Sequence, residues 1–384
     1  MKKKYLIYGS AVLLLVIVAA TVYLQSIENK FQPPETDANY EQTYLHGQIV
    51  MVSDPDSEGN QNLKVKFATG DEKDLVRDVQ LDAVNNFNDY KEGDTITVYK
   101  SVHVSSGANG GSVENGTSGH TTYSAVDHFH MNGMAILFVL FVIVALVIAG
   151  KKGARAIVSV LASLVFFYFF FIKMVGIGVS PVLAALVFVA IVTLISIPLI
   201  HGLNRKSLAS IIAIFVGYAA SLGIVYLFKG IAQLGSAPGE EFRMLGIMFG
   251  EVNLVEILLA SLFLGAVGAL IDTAISISSA IFEAMQETPD LKFKKVYKVG
   301  MEVGKDILGS MINTLLFAYI ASSLPFFVML TLAQKSGDNI FYDLMNMDFI
   351  ALELTRTFIG AVSLVLLIPL VSVTSAYYLV RGRG

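Results

Sequence analysis

VSPVLAALVFVAIVTLISIPLI, residues Val179 to Ile200, carries no charged side chain. At 1.5 Å per residue a helix of this length runs about 33 Å, enough to cross the roughly 30 Å of hydrocarbon in a bilayer. Six comparable segments flank it: Met134 to Ala149, Ala156 to Ile172, Leu208 to Phe228, Leu254 to Phe282, Ile307 to Leu332 and Phe349 to Val380. The last three exceed one span, so they are expected to tilt, to extend beyond the bilayer or to kink, with Pro325 and Pro369 as breakpoints beside Pro198 in the opening run.

Composition agrees. Of 384 residues 54% are hydrophobic and 15% charged, and the mean hydropathy is +0.65, whereas soluble domains hold about half apolar and a quarter charged residues. A net charge of −4 without a basic, aromatic-rich face gives no reason to expect a nucleic-acid partner. The absence of cysteine excludes disulfides, thiol catalysis and thiolate metal sites.

The chain opens with Met1, Lys2, Lys3 and Lys4 before an apolar run from Tyr5 to Leu24. That run is longer than a typical signal-peptide core of about 7 to 15 residues, so residues 1–25 are expected to be a membrane anchor, although Ala19 and Ala20 would permit cleavage. Residues 26–131 change character. Alternating stretches such as Gly47 to Val52 and Leu63 to Phe67, and Thr95 to Tyr99 after the turn Lys91-Glu92-Gly93-Asp94, read as strands of a small barrel or sandwich. Gly107 to Gly119 reads as a flexible tether. Residues 132–384 complete a membrane α-helical bundle of about eight transmembrane helices, seven of them in this last domain.

Orientation follows from the basic residues, which collect in short cytoplasmic loops. Lys151, Lys152 and Arg155, then Arg205 and Lys206, then Lys292, Lys294, Lys295 and Lys298, then Arg381 and Arg383 fall in alternate connections. Both termini are therefore expected inside the cell and residues 26–131 outside. The segment Glu287 to Lys298, with Phe293, Val296 and Tyr297 among lysines, is expected to lie on the inner headgroups.

Charge inside hydrocarbon costs at least about 2.5 kcal/mol on insertion scales, so acids within spans draw the search for chemistry. Asp272 lies about ten residues from the inner end of its segment, roughly 15 Å deep. Gly265, Gly268, Asp272, Ser276, Ser279 and Glu283 recur at spacings of three and four, forming one small and polar stripe. On the following segment Glu302, Asp306, Gly309 and Asn313 form a second stripe, with Lys305 beside it; Asp306 falls near the inner boundary of that segment, where a solvated helix end is the alternative reading. An ion, proton or substrate site is weighed against close helix packing with a protonated Asp272 hydrogen-bonded across the contact. In the site reading the face of Asp272, Ser276 and Ser279 opposes that of Asp306, Ser310 and Asn313, and Glu302 and Lys305 contribute charge.

Glu353 and Arg356 read as a local ion pair at i,i+3, with an anion-attracting gate as the sharper alternative. His120, Asp127, His128 and His130, with His103 farther back, read as a polar juxtamembrane linker more readily than as a metal site, because the supporting ligand spacing is missing. No hydrolase, metalloprotease, nucleotide-binding or dinucleotide-binding signature is present. An intramembrane aspartyl protease built on Asp272 and Asp306 is disfavoured by their sequence contexts, Ile271-Asp272-Thr273 and Gly304-Lys305-Asp306. No enzyme activity and no cofactor are expected.

Three stretches resemble the YibE/F family of bacterial membrane proteins: HGLNRKS from His201 to Ser207, GAVGALIDTAISISS from Gly265 to Ser279, and GMEVGKDILGSMINTLLFAYIASSLP from Gly300 to Pro325. The likeness extends to GQIV and KEGDTITV in the β region. It departs at Lys305, where similar proteins often carry arginine. The resemblance implies a multi-pass, permease-like protein of the bacterial plasma membrane that works with a related chain; it implies no substrate and no catalytic residue. The combined expectation is a secondary transporter or permease moving a small solute or ion, in contact with membrane lipid and with a related chain or further copies of itself. The alternative is a non-transporting scaffold whose β domain binds a partner or envelope component.

Overall fold

The computed structural model describes residues 19, 21–28, 30, 40–53, 61–81, 89–103, 120–202, 204–231, 239–249, 252–333 and 347–381. Two compact units emerge, one of residues 33–147 and one of residues 1–32 together with 148–384.

The first unit is built on five strands, β1 (Tyr40–Val52), β2 (Gln61–Phe67), β3 (Val76–Leu81), β4 (Thr95–His103) and β5 (His120–His128). They close into a barrel in the order β1-β2-β3-β5-β4, antiparallel except for β3 against β5. This is the arrangement of the five-stranded Greek-key OB barrel. Alternation places Leu45, Ile49, Leu63, Val65, Phe67, Val79, Leu81, Ile96 and Val98 in its core. Long β1 serves both neighbours: Gly47 pairs with Phe67 on one side and Ile96 on the other. A Cβ at Gly47 would stand 2.5 Å from Val65 Cγ1 and 2.8 Å from the Lys66 carbonyl oxygen, so only glycine lets the strands close here. The expected turn at Lys91–Asp94 is present, with the Lys91 amide donating to Asp94 Oδ2 at 2.9 Å and Gly93 at φ +94°. Of the alternatives barrel and sandwich, the barrel is realised. The expected tether at 107–119 lies outside the described residues, and His120 to His128 form strand β5 rather than a linker. Residues in a strand ladder with His103↔His120 and Tyr99↔Ser124 in register are held by backbone hydrogen bonds, which polar composition alone does not reveal.

The helices are α1 (Met131–Phe166), α2 (Pro181–His201), α3 (Arg205–Ile231), α4 (Glu240–Met248), α5 (Leu254–Glu287), α6 (Phe293–Ala333) and α7 (Asp348–Arg381). Six helices among the described residues are long and apolar enough to cross a membrane, against about eight expected. The shortfall has two sources. Tyr5 to Leu24 falls almost wholly outside the described residues, and the expected segments Met134 to Ala149 and Ala156 to Ile172 lie on one helical stretch, Met131–Gly176. At 46 residues that stretch would run about 69 Å as a straight helix, but Gly150, at φ 52° and ψ −127°, breaks it. Its second part widens into a π turn at Phe167–Ile172.

Within the helical unit α7 is central and packs against α3, α5 and α6. Leu259, Leu262, Phe263, Leu270, Ala274 and Ile277 of α5 meet Leu364, Leu367, Ile368 and Val371 of α7 in the core. Hydroxyl pairs fasten the helices: Thr193 Oγ1 with Tyr218 OH at 2.6 Å, Ser221 with Ser363 at 3.0 Å, and Ser278 with Ser375 at 2.8 Å. In lipid such pairs contribute about 0.6 to 2 kcal/mol each. Helix ends follow local chemistry. Asn253 caps α5 by accepting from the Glu256 amide at 3.1 Å, and Pro181 opens α2. The lysine-rich segment at 287–298 does not form a separate surface element: α6 begins at Phe293, and Val296 is buried in the core.

Candidate functional site

Antiparallel α5 and α6 are joined by a five-residue connection, Thr288 to Lys292. They approach closely because α6 presents glycine: a Cβ at Gly300 would lie 2.7 Å from Ile281 Cδ1 and 2.6 Å from Ser372 Oγ. A Cβ at Gly304 would collide with Ile368 and stand 3.2 Å from Ile277 Cδ1. At the other end Tyr319 OH donates to the Gly265 carbonyl at 2.8 Å. These contacts fix the levels. On this register Ser276 falls at the level of Lys305 and Asp306, and one turn farther along Asp272 falls at the level of Gly309. Asp272 is the nineteenth of the 34 residues of α5, the middle of the span.

Both stripes turn out to be on the surface of the single chain. Asp272 and Ser276 are exposed and Ser279 is half-buried; Glu302, Lys305, Asp306, Ser310 and Asn313 are all exposed. Helical geometry explains why. The core face of α5 is Leu259, Phe263, Leu270, Ala274 and Ile277, and the Asp272 stripe occupies the opposite side of a helix with 3.6 residues per turn. On α6 the core face is Val296, Gly300, Gly304 and Leu315, again opposite the polar stripe. Among the described residues Asp272, Lys305 and Asp306 have no hydrogen-bond or ion-pair partner, while Glu302 faces Lys298 at 3.6 Å. Ser310 and Thr314 satisfy their own hydroxyls on the carbonyls of Ile307 (2.8 Å) and Ser310 (2.9 Å). Space is open around Gly268 and Gly309, where a Cβ would meet nothing within 4 Å.

Glu353 and Arg356 do pair, at 2.9 and 3.1 Å. The guanidinium also approaches Ser261 Oγ at 3.5 Å and lies 5.5 Å from the Tyr319 ring centre. This cluster ties α5, α6 and α7 together, beyond the local pair read from spacing. Arg356 Nε and Thr273 Oγ1 are buried without a partner among the described residues.

A second charge cluster, in the barrel, has no counterpart in the sequence reading. Glu72, on the β2–β3 turn, receives Lys100 Nζ at 2.6 Å, Arg77 Nε at 2.9 Å and a short hydrogen bond from Tyr123 OH. Burial opposes ionisation of Glu72, but the bonds from Lys100, Tyr123 and Arg77 outweigh it and lower its pKa from 4.5 to about 2. Burial and the Glu72 carboxylate push the Tyr123 phenol up to about 12. The donors come from β3, β4 and β5, and the β3–β5 ladder has only Gln80↔Ser124 in register, so Glu72 closes the barrel where backbone pairing is thinnest. No local motif announces such a cluster, because its members are up to 51 residues apart.

Among the described residues no group of His, Asp and Glu is arranged to hold a metal ion. His128 stacks on Tyr90 with ring centres 4.7 Å apart, and His130 stands 3.6 Å from Asp127.

Neither a curated protein nor a solved structure matches the chain. The family model described as YibE/F-like protein matches residues 137–381, 245 of the 384 residues and all of α2 to α7. Both polar stripes, the glycines that seat α6 and the Glu353–Arg356 pair fall within that match. On this ground the chain is a membrane protein that belongs to the YibE/F-like family.

Proposed function

We propose that this protein is a secondary transporter or permease whose polar path runs along the Asp272–Ser276 stripe of α5 and the Asp306–Ser310–Asn313 stripe of α6. The observation that supports the reading is the exposure of these groups on long apolar helices: acids, hydroxyls and an amide lie on α5 and α6 outside the chain's own core. Structural packing alone would place them against α7, where Ser278, Ser363 and Ser375 do pair. An ionisable residue held within a span without a partner suits a proton, cation or polar solute. Lys305, consecutive with Asp306, adds a positive charge at the same level of the path. The alternation of basic loops supports both termini inside the cell, with the barrel outside as a domain that meets solute or an envelope component first.

The test is proton-motive-force-driven uptake and efflux in proteoliposomes, comparing wild type with Asp272→Asn. Flux in the wild type, reduced at least ten-fold in the variant, is expected. Equal flux in both would remove Asp272 from the mechanism, and a wild type that moves no tested solute or ion would leave the membrane-anchored scaffold as the better account.

A further inference from the structure

A helix surface with three charges that have no partner among the described residues is poorly suited to acyl chains. At least about 2.5 kcal/mol for Asp272 alone, at mid-helix, exceeds what one hydroxyl pair contributes. Apolar faces elsewhere in the unit show the contrast: Phe358 and Val365 on α7, Tyr226 and Leu227 on α3 are exposed and suit lipid. The α6 face does not. Glu302, Gly309 and Asn313 run along its midline, flanked by Lys305 on one side and by Asp306 and Ser310 on the other, and all are exposed.

We propose that this face is where two copies of the chain meet, about a two-fold axis along the membrane normal. The assignment rests on charge complementarity. Lys305 and Asp306 are consecutive, so they project about 100° apart, one on each flank of the Glu302–Gly309–Asn313 midline. When two parallel helices are related by a two-fold axis, opposite flanks face each other, as at the flanking positions of a coiled coil. Lys305 of each copy then faces Asp306 of the other at the same level, and both charges, without a partner among the described residues, acquire one. The midline has the chemistry of close helix approach. Gly309 carries no side chain, the Ser310 hydroxyl is already satisfied on its own helix, and Asn313 is free to hydrogen-bond to its counterpart across the axis. Asp272, one turn deeper on α5, would border the closed seam. In that last respect the inference rests on the proposed transport reading; the contact itself does not depend on any solute.

The chain has no cysteine, so single introduced thiols report the contact. In native membranes carrying two differently tagged copies of the full chain, Asn313→Cys or Gly309→Cys is oxidised with copper–phenanthroline. The expected product is a species of about 83 kDa, twice 41.6 kDa, containing both tags, while Phe358→Cys stays monomeric. Adding Lys305→Asp should lower the cross-linked fraction at least ten-fold, and adding Lys305→Asp together with Asp306→Lys should restore it. The proposal is overturned if both α6 thiols stay monomeric, if they cross-link only to a different protein, or if the charge swap fails to restore the product. Because cross-linking is read without solute, a dimer without flux removes the transport reading alone, and flux from a chain that never cross-links removes this one alone.

Discussion

Replacing Glu72 by glutamine leaves its shape nearly intact but removes the charge that gathers Lys100, Arg77 and Tyr123. A carboxyl whose pKa falls from 4.5 to about 2 on folding corresponds to about 3 kcal/mol of stability at neutral pH. Arg77 keeps 47% of its side chain in water, which weakens its share, so about 2 kcal/mol is the expected loss for Glu72→Gln at pH 7. The sign follows from the folded pKa lying below the unfolded one. The contribution is complete above about pH 4.5 and disappears as pH falls through about 2; at pH 2.5 about a quarter of it remains. Urea titration of the full chain in detergent reads it, with protease pulses (thermolysin at pH 7, pepsin at pH 2.5) scoring cleavage inside the barrel. The variant should unfold at lower urea than wild type at pH 7, and the two should nearly coincide at pH 2.5. A gap of the same size at both pH values would refute the assignment of this stability to the ionised Glu72, and no gap at pH 7 would show that the cluster does not close the barrel.

Two further substitutions probe the bundle. Gly304→Val drives side-chain atoms into Ile368 and Ile277, which should cost about 1 to 3 kcal/mol or more and lower the midpoint of thermal unfolding in detergent; an unchanged midpoint would show that α6 is not seated on α7 as described. Arg356→Met leaves Glu353, 8% exposed, as an uncompensated buried acid and should destabilise by about 3 to 5 kcal/mol. The double variant Glu353→Gln/Arg356→Met should recover most of that loss in the same melt, and failure to recover would mean that Arg356 acts through Tyr319 or Ser261 instead.

The membrane character, the position of the β region, its turn at Lys91–Asp94 and the polar stripes were all legible in the sequence, because each is written in local periodicity. A two-residue alternation marks strands, three-and-four spacing marks a helix face, and a run of about twenty apolar residues marks a span. The Glu353–Arg356 pair was legible for the same reason, as an i,i+3 spacing on one helix. What covers each face was not. Reading the stripes as inward-facing assumed that polar side chains within a span must meet partners from the same chain. The structure instead buries the apolar sides of α5 and α6 against α7, since Gly300 and Gly304 admit Ile281, Ser372 and Ile368 at distances that a side chain would block. The Glu72 cluster and the parallel closure of β3 on β5 depend in the same way on residues far apart in sequence. Local pattern determines which side of each element is polar, because it depends only on neighbours one turn away. Which partner that side meets is a competition among all the helices and strands for the same buried volume, and only the assembled tertiary structure resolves it.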